Sequence, residues 1–203
     1  MEVTEVSRVR GKVQLVIGGE RILITRRLYE ERPLQVGDEV DLEEYDRFLL
    51  LNQYRPALEY AVSLLAGRPR STGELEAGLR RVGYRPQTIE MVLYKLSSNG
   101  LLDDEAFARQ WAAARSGAGL GKQRIAMDLR RKGLSGEQIS EALENLDEDT
   151  TRDAALELAR KFLRKKKPDE DGRKVRQRAI AALARRGYGY EEAKEAVARA
   201  EEE

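Results

Sequence analysis

The sequence predicts a mostly α-helical protein: three tandem three-helix repeats, an elongated and curved array, preceded by a small N-terminal β-containing segment. Three observations predict it. Apolar residues alternate with polar ones only between Val3 and Ile24, and from Leu42 onward they return at helical spacing. A basic block closed by glycine, Arg80-Arg81-Val82-Gly83, comes back as Arg130-Arg131-Lys132-Gly133 and as Ala184-Arg185-Arg186-Gly187, offset by 50 and then 54 residues. Finally, 36% of the 203 residues are charged while 41% are hydrophobic. That mixture suits thin units with one buried stripe each, and it is too apolar for a disordered tail.

In chain order, the first element is a β unit. Val13, Leu15 and Ile17 alternate with polar residues, Gly18-Gly19 intervenes, and Ile22 and Ile24 alternate again, the pattern of a hairpin with a two-residue turn. Val3 to Val9 supplies a third strand. A short helix is expected around Arg26 to Glu31, stopped by Pro33 and the Val36-Gly37-Asp38 segment. Asp41 to Gln53 has helical periodicity, with Leu42, Tyr45 and Leu49 on one stripe. Together these elements form an N-terminal segment and linker helix, residues 1–55.

The repeats follow as residues 56–102, 103–151 and 152–203. Each opens on a leading helix: Pro56 to Ala66, Glu105 to Ala114, and Arg152 to Leu163. A second helix carries Leu75 and Leu79, Ile125 and Leu129, or Ala179 and Leu183, and closes on Gly83, Gly133 or Gly187. Those glycines fit the left-handed position just past a helix end. The third helix carries Ile89, Val92 and Leu96 in the first copy and Ile139, Ala142 and Leu146 in the second. Ser71-Thr72-Gly73-Glu74 and Ser135-Gly136-Glu137-Gln138 read as capping boxes at helix starts. Phe107, Trp111, Tyr94 and Phe162 are expected in the core, and Tyr84 and Tyr188 to seal the helix ends.

Composition removes whole classes of chemistry. The chain has no cysteine and no histidine, so thiolate nucleophiles, cysteine–zinc sites and histidine triads are excluded. No cofactor and no metal site are expected, and no enzymatic activity. Gly117-Ala118-Gly119-Leu120-Gly121-Lys122-Gln123 imitates a phosphate loop, but three residues separate Gly117 from Gly121 where four are needed. Gln123 also stands where a hydroxyl should bind magnesium. A helix–helix linker is the better reading. Asp103-Asp104-Glu105 reads as a helix start, where carboxylates complement exposed N–H groups. A basic targeting region followed by an apolar run is lacking at Met1 to Glu5, and no stretch reaches membrane-spanning length, so a cytoplasmic protein is expected.

The net charge of +1 conceals a pattern. Residues 152–187 carry 13 basic against 5 acidic side chains. Basic pairs at helix ends complement the exposed carbonyls there. The run from Arg160 to Arg178 is harder to explain so, because like charge on adjacent helices costs stability unless something neutralises it. Phosphate or an acidic protein surface is the expected counterpart.

The words of the sequence resemble the RecX family. Arg68-Pro69-Arg70-Ser71 with Glu74-Leu75, then Gly100-Leu101-Leu102-Asp103-Asp104-Glu105-Ala106-Phe107-Ala108, then Trp111, Arg115 and Gly121-Lys122-Gln123-Arg124-Ile125, then Leu129-Arg130-Arg131-Lys132-Gly133, occur in the family's order. The third repeat departs from the pattern in its Lys165-Lys166-Lys167-Pro168-Asp169 linker and alanine-rich last helix. The resemblance implies a regulatory protein that docks on filaments of the RecA recombinase and DNA. It would inhibit or modulate their recombinase, ATPase and co-protease activities in DNA repair and the SOS response. The residues expected to carry that contact are Lys122, Arg124, Arg130 and Arg131 in the second repeat, with Lys165, Lys166, Lys167, Arg173 and Arg176 in the third. The alternative is a DNA-binding protein without sequence preference, gripping single- or double-stranded DNA directly through the basic third repeat.

Overall fold

The computed structural model describes residues 1–164 and 170–202, which form two compact units, Met1–Asp103 and Asp104–Glu203. The first unit begins with strands β1 (Val3–Val9), β2 (Lys12–Ile17) and β3 (Glu20–Thr25) in an antiparallel sheet of that order. Gly18 and Gly19 both take positive φ, the two-residue turn that matches strand twist, and Leu15 pairs with Ile22. Strand alternation therefore puts Val13, Leu15, Ile17, Ile22 and Ile24 on one buried face. Thr25 caps the short helix α1 (Arg26–Glu31), and Asp41 caps α2 (Leu42–Gly67).

Helix α2 is continuous where the sequence reads as two helices divided before Pro56. Its buried stripe, Tyr45, Leu49, Gln53, Ala57 and Ala61, keeps a spacing of four straight through the proline. Pro56 lies on the exposed face. There it has no N–H to give to the carbonyl of Asn52, but its ring enters no core. Tyr45 and Leu49 join the sheet core, while Ala57 and Ala61 join the core of the first repeat with Leu75, Leu79, Ile89, Val92 and Leu96. The helix is one spine shared by two cores.

The first repeat is completed by α3 (Thr72–Val82), opened by the Ser71–Glu74 capping box, and α4 (Pro86–Ser98). Gly83 between them is left-handed at φ 98°. Arg85 ties this turn to everything upstream. Its N–H donates to Gln53 Oε1 at 2.8 Å, and its guanidinium meets Glu20 at 2.6 Å and Asp46 at 2.9 Å. Lys12 Nζ donates to the Arg81 carbonyl, and partial burial lowers the pKa of that ammonium. Tyr94 departs from its expected place in the core: it stands on the outer face of α4, 75% exposed.

The second unit contains α5 (Asp104–Gly117), α6 (Lys122–Arg131) and α7 (Gly136–Glu144), then α8 (Glu148–Leu163), α9 (Gly172–Arg185) and α10 (Tyr190–Glu202). Phe107, Ala112, Ile125, Leu129 and Ile139 anchor one core; Ala155, Ala159, Leu183, Tyr188 and Val197 anchor the other. Gly133 and Gly187 take φ of 84° and 91°, repeating the Gly83 turn. The Ser135–Gln138 capping box starts α7. A buried bond between Ser116 and Thr151 at 3.0 Å joins α5 to α8. No helix among the described residues is long and apolar enough to cross a membrane.

Candidate functional site

The glycine-rich stretch before α6 is a joint. The N–H of Gly121 donates to the Arg186 carbonyl at 3.0 Å, and that of Gln123 to the Gly187 carbonyl at 3.1 Å. The two N–H groups at the start of α6 that a phosphate would seek are thus engaged by the end of α9, with positive helix end against negative. A Cβ on Gly121 would stand 2.3 Å from backbone atoms of Gly187 and Tyr188. Glycine is required here by the closeness of two backbones.

The expected basic residues fall into groups. On α6, Arg124 and Arg131 are seven residues apart and share one face, opposite the buried Ile125 and Leu129. Arg124 pairs with Asp128 at 3.6 Å, whereas Arg130 and Arg131 are exposed in the last turn. Lys122 lies on another side of the helix, in a cleft with Glu148, Glu191, Glu192 and Glu195. Arg152 and Arg199 line the same cleft, so four carboxylates stand there against three cations. On α9, Arg173 is exposed in the first turn and Arg176 reaches Glu201 at 3.7 Å. Lys165, Lys166 and Lys167 lie outside the described residues.

Two further arrangements stand out: one falls in the basic run from Arg160 to Arg178 that the sequence already marks, and the other, around Trp111, was not singled out as a site in the sequence. Lys161 on α8 and Arg164 at its C-cap line a cavity of about 590 Å³ together with Gly117, Ala118, Gly119, Ala154 and Leu158. Arg160, beside them, is turned to Glu157 at 2.7 Å. Trp111 is flanked by two cations: Arg115 Cζ lies 4.4 Å and Lys132 Nζ 3.9 Å from its ring centroid. Phe107 stacks on the same indole at 5.8 Å. Cation–π attraction explains why Lys132 turns inward while Arg130 and Arg131 stay in solvent.

Fold and surface define a protein of tandem three-helix modules, each with a glycine turn between its second and third helices, and with cation-edged hollows on the second unit. Comparison with known families identifies which one. Three family models match in order: the first RecX three-helix domain over residues 57–96, the second over 103–143 and the third over 150–197. The chain belongs to the RecX family. It is 41% identical over 141 residues to a protein named Regulatory protein RecX from Mycobacterium sp. (strain JLS), covering 68% of this chain and 77% of that one. To the protein of the same name from Mycobacterium leprae (strain Br4923) it is 38% identical over 149 residues, covering 73% and 81%. The crystal structure of RecX from Lactobacillus salivarius superposes with a TM-score of 0.69 at 18% identity, covering 75% of this chain and 99% of that one. A second crystal structure, of a regulatory protein RecX, gives 0.67 at 19% identity, covering 100% and 99%. Both support the fold.

Proposed function

We propose that this protein binds filaments of RecA on DNA and inhibits or modulates their recombinase, ATPase and co-protease activities, with no catalysis of its own. The observation that carries this reading is the presence of all three family modules in order, in a chain whose relatives are named regulatory proteins. The absence of histidine and cysteine from the sequence is consistent with regulation by contact. We assign the contact to the cations of the second unit: Arg124, Arg130 and Arg131 with Lys122 on α6, Arg173 and Arg176 on α9, and Lys165 to Lys167 between α8 and α9. A second reading, direct grip on DNA phosphates, draws on the cavity edged by Lys161 and Arg164.

One titration separates the two. RecA ATPase on single-stranded DNA should fall as the protein is added, and Arg130→Glu with Arg131→Glu should weaken that inhibition. Both residues are exposed at a helix end, so the double reversal costs about 1–2 kcal/mol of stability at most. In a salt series, binding to filaments should persist where binding to bare DNA collapses, because phosphate contacts release counterions. Equal salt slopes and equal affinities on bare DNA would favour the second reading, and an unchanged ATPase would refute the first.

A further inference from the structure

A groove of about 1190 Å³ on the first unit is lined by none of the cations assigned above. Its walls are three helices, and each contributes a row at helical spacing. Thr72, Glu76 and Arg80 form the row on α3, four residues apart. Glu43, Arg47 and Leu50 form the row on α2. On α4 the row runs from Pro86 through Glu90 to Tyr94 and Ser97. Rows of this spacing leave holes that accept the ridges of another helix. A helix of three turns about 10 Å across fills roughly 1,300 Å³, which matches the space.

The chemistry of the lining narrows the occupant. Met91 is 46% and Tyr94 75% exposed, side by side on α4, and Leu50 and Leu93 lie half-buried beside them. Four carboxylates, Glu43, Asp46, Glu76 and Glu90, face the groove against two guanidiniums, Arg47 and Arg80. Arg80 is matched to Glu76 and Asp46 to Arg85. That leaves Glu43 and Glu90 with one opposing cation, Arg47. An apolar floor under a net-negative rim fits an apolar stripe flanked by lysine or arginine.

We propose that the groove between α2, α3 and α4 is a docking site for a basic amphipathic helix of a partner protein. All the lining residues belong to the first unit, and the proposal does not depend on RecA being the partner.

The test uses the full chain and a labelled 14-residue peptide with leucine at helical positions i, i+3, i+4 and i+7, lysine on the flanks and alanine elsewhere. Anisotropy should show saturable binding. Replacing the peptide lysines by glutamates should weaken binding at least tenfold. Met91→Asp should also weaken it at least tenfold, while Val62→Asp, an exposed apolar position on α2 outside the groove, should leave it unchanged. Glu43→Lys with Glu90→Lys should reverse the preference between the two peptides. All these positions are exposed, and circular dichroism of each variant checks that the fold is kept. Absence of saturable binding overturns the proposal. So does equal loss from Met91→Asp and Val62→Asp, or indifference to peptide charge.

Discussion

Replacing Gly121 by alanine is the sharpest test of the joint between the second and third repeats. At φ −75° and ψ 160° the backbone of Gly121 is ordinary for any residue, so no strain arises from the torsions. The added Cβ, however, would lie 2.3 Å from the Gly187 carbonyl carbon and oxygen and from the Tyr188 nitrogen. All three are backbone atoms, and no rotamer change relieves the overlap. The turn must back away, breaking the bonds from Gly121 to Arg186 and from Gln123 to Gly187. Each such bond is worth about 1–3 kcal/mol, depending on whether its donor regains water. Against that, alanine stabilises by roughly 0.4–1 kcal/mol through the unfolded chain. The net expectation is a loss of about 2–4 kcal/mol from the second unit. The assay is urea unfolding followed by tryptophan fluorescence, because the single tryptophan, Trp111, lies in that unit. Gly136→Ala is the control: no atom stands within 4 Å of its added Cβ, and it should be neutral or stabilising by up to about 1 kcal/mol. A Gly121→Ala protein within about 0.5 kcal/mol of the original would refute the joint.

Three further outcomes are expected. Arg85→Ala, whose side chain is 13% exposed and bridges Glu20 to Asp46, should destabilise the first unit by about 2–3 kcal/mol; far-UV circular dichroism in urea measures it. Lys132→Ala should cost about 0.5–1 kcal/mol and shift the Trp111 emission, whereas Arg131→Ala should leave that emission unchanged. Tyr188→Phe removes a buried hydroxyl with no hydrogen-bond partner among the described residues, so at neutral pH it should be neutral or stabilising. Burial pushes the Tyr188 pKa from its ordinary 10.0 up to about 12, so its contribution is complete below pH 10 and lost as pH rises towards 12. In that window the original protein should lose up to about 1.4 kcal/mol per pH unit more than Tyr188→Phe, and urea midpoints between pH 9 and 12 give the comparison.

What was legible in the sequence was what local chemistry determines. The Gly18-Gly19 turn, the alternation of Val13, Leu15 and Ile17, and the capping boxes at Ser71 and Ser135 act within a few residues, and all stand where the sequence places them. The continuity of α2 was obscured because Pro56 reads as a breaker; only tertiary packing shows that the proline faces solvent while the stripe of four continues beneath it. Tyr94 was misplaced because its helical spacing resembles that of a core residue, but Val92 and Leu96 already supply that face of α4. The cationic groups were the least legible. A charge count does not say that Arg176 meets Glu201 or that Lys122 shares a cleft with four glutamates and two arginines. The Gly121 joint has no local signature at all, because its partner lies 66 positions further along the chain.

The glycine turn that defines the repeat in the sequence is also used as a joint, and this suggests what the β sheet does. In the second unit the turn of the third repeat, at Gly187, rests on α6 of the repeat before it. In the first unit the equivalent turn, at Gly83, rests on what precedes it too: a Cβ there would come within 2.9 Å of the Leu23 carbonyl on β3. Lys12 on β2 donates to Arg81, and Glu20 at the hairpin meets Arg85 on the far side of the same turn. The sheet therefore occupies, at the first repeat, the place that the second repeat occupies at the third. Arrays of stacked modules need terminal elements that cover the face a neighbour would otherwise cover. A three-stranded sheet does so here by presenting one apolar face to α2 and its polar hairpin to the turn. The shared spine follows from the same logic: a cap on a separate linker would have to be held by its contacts alone, whereas one that shares α2 with the first repeat is positioned by the helix itself.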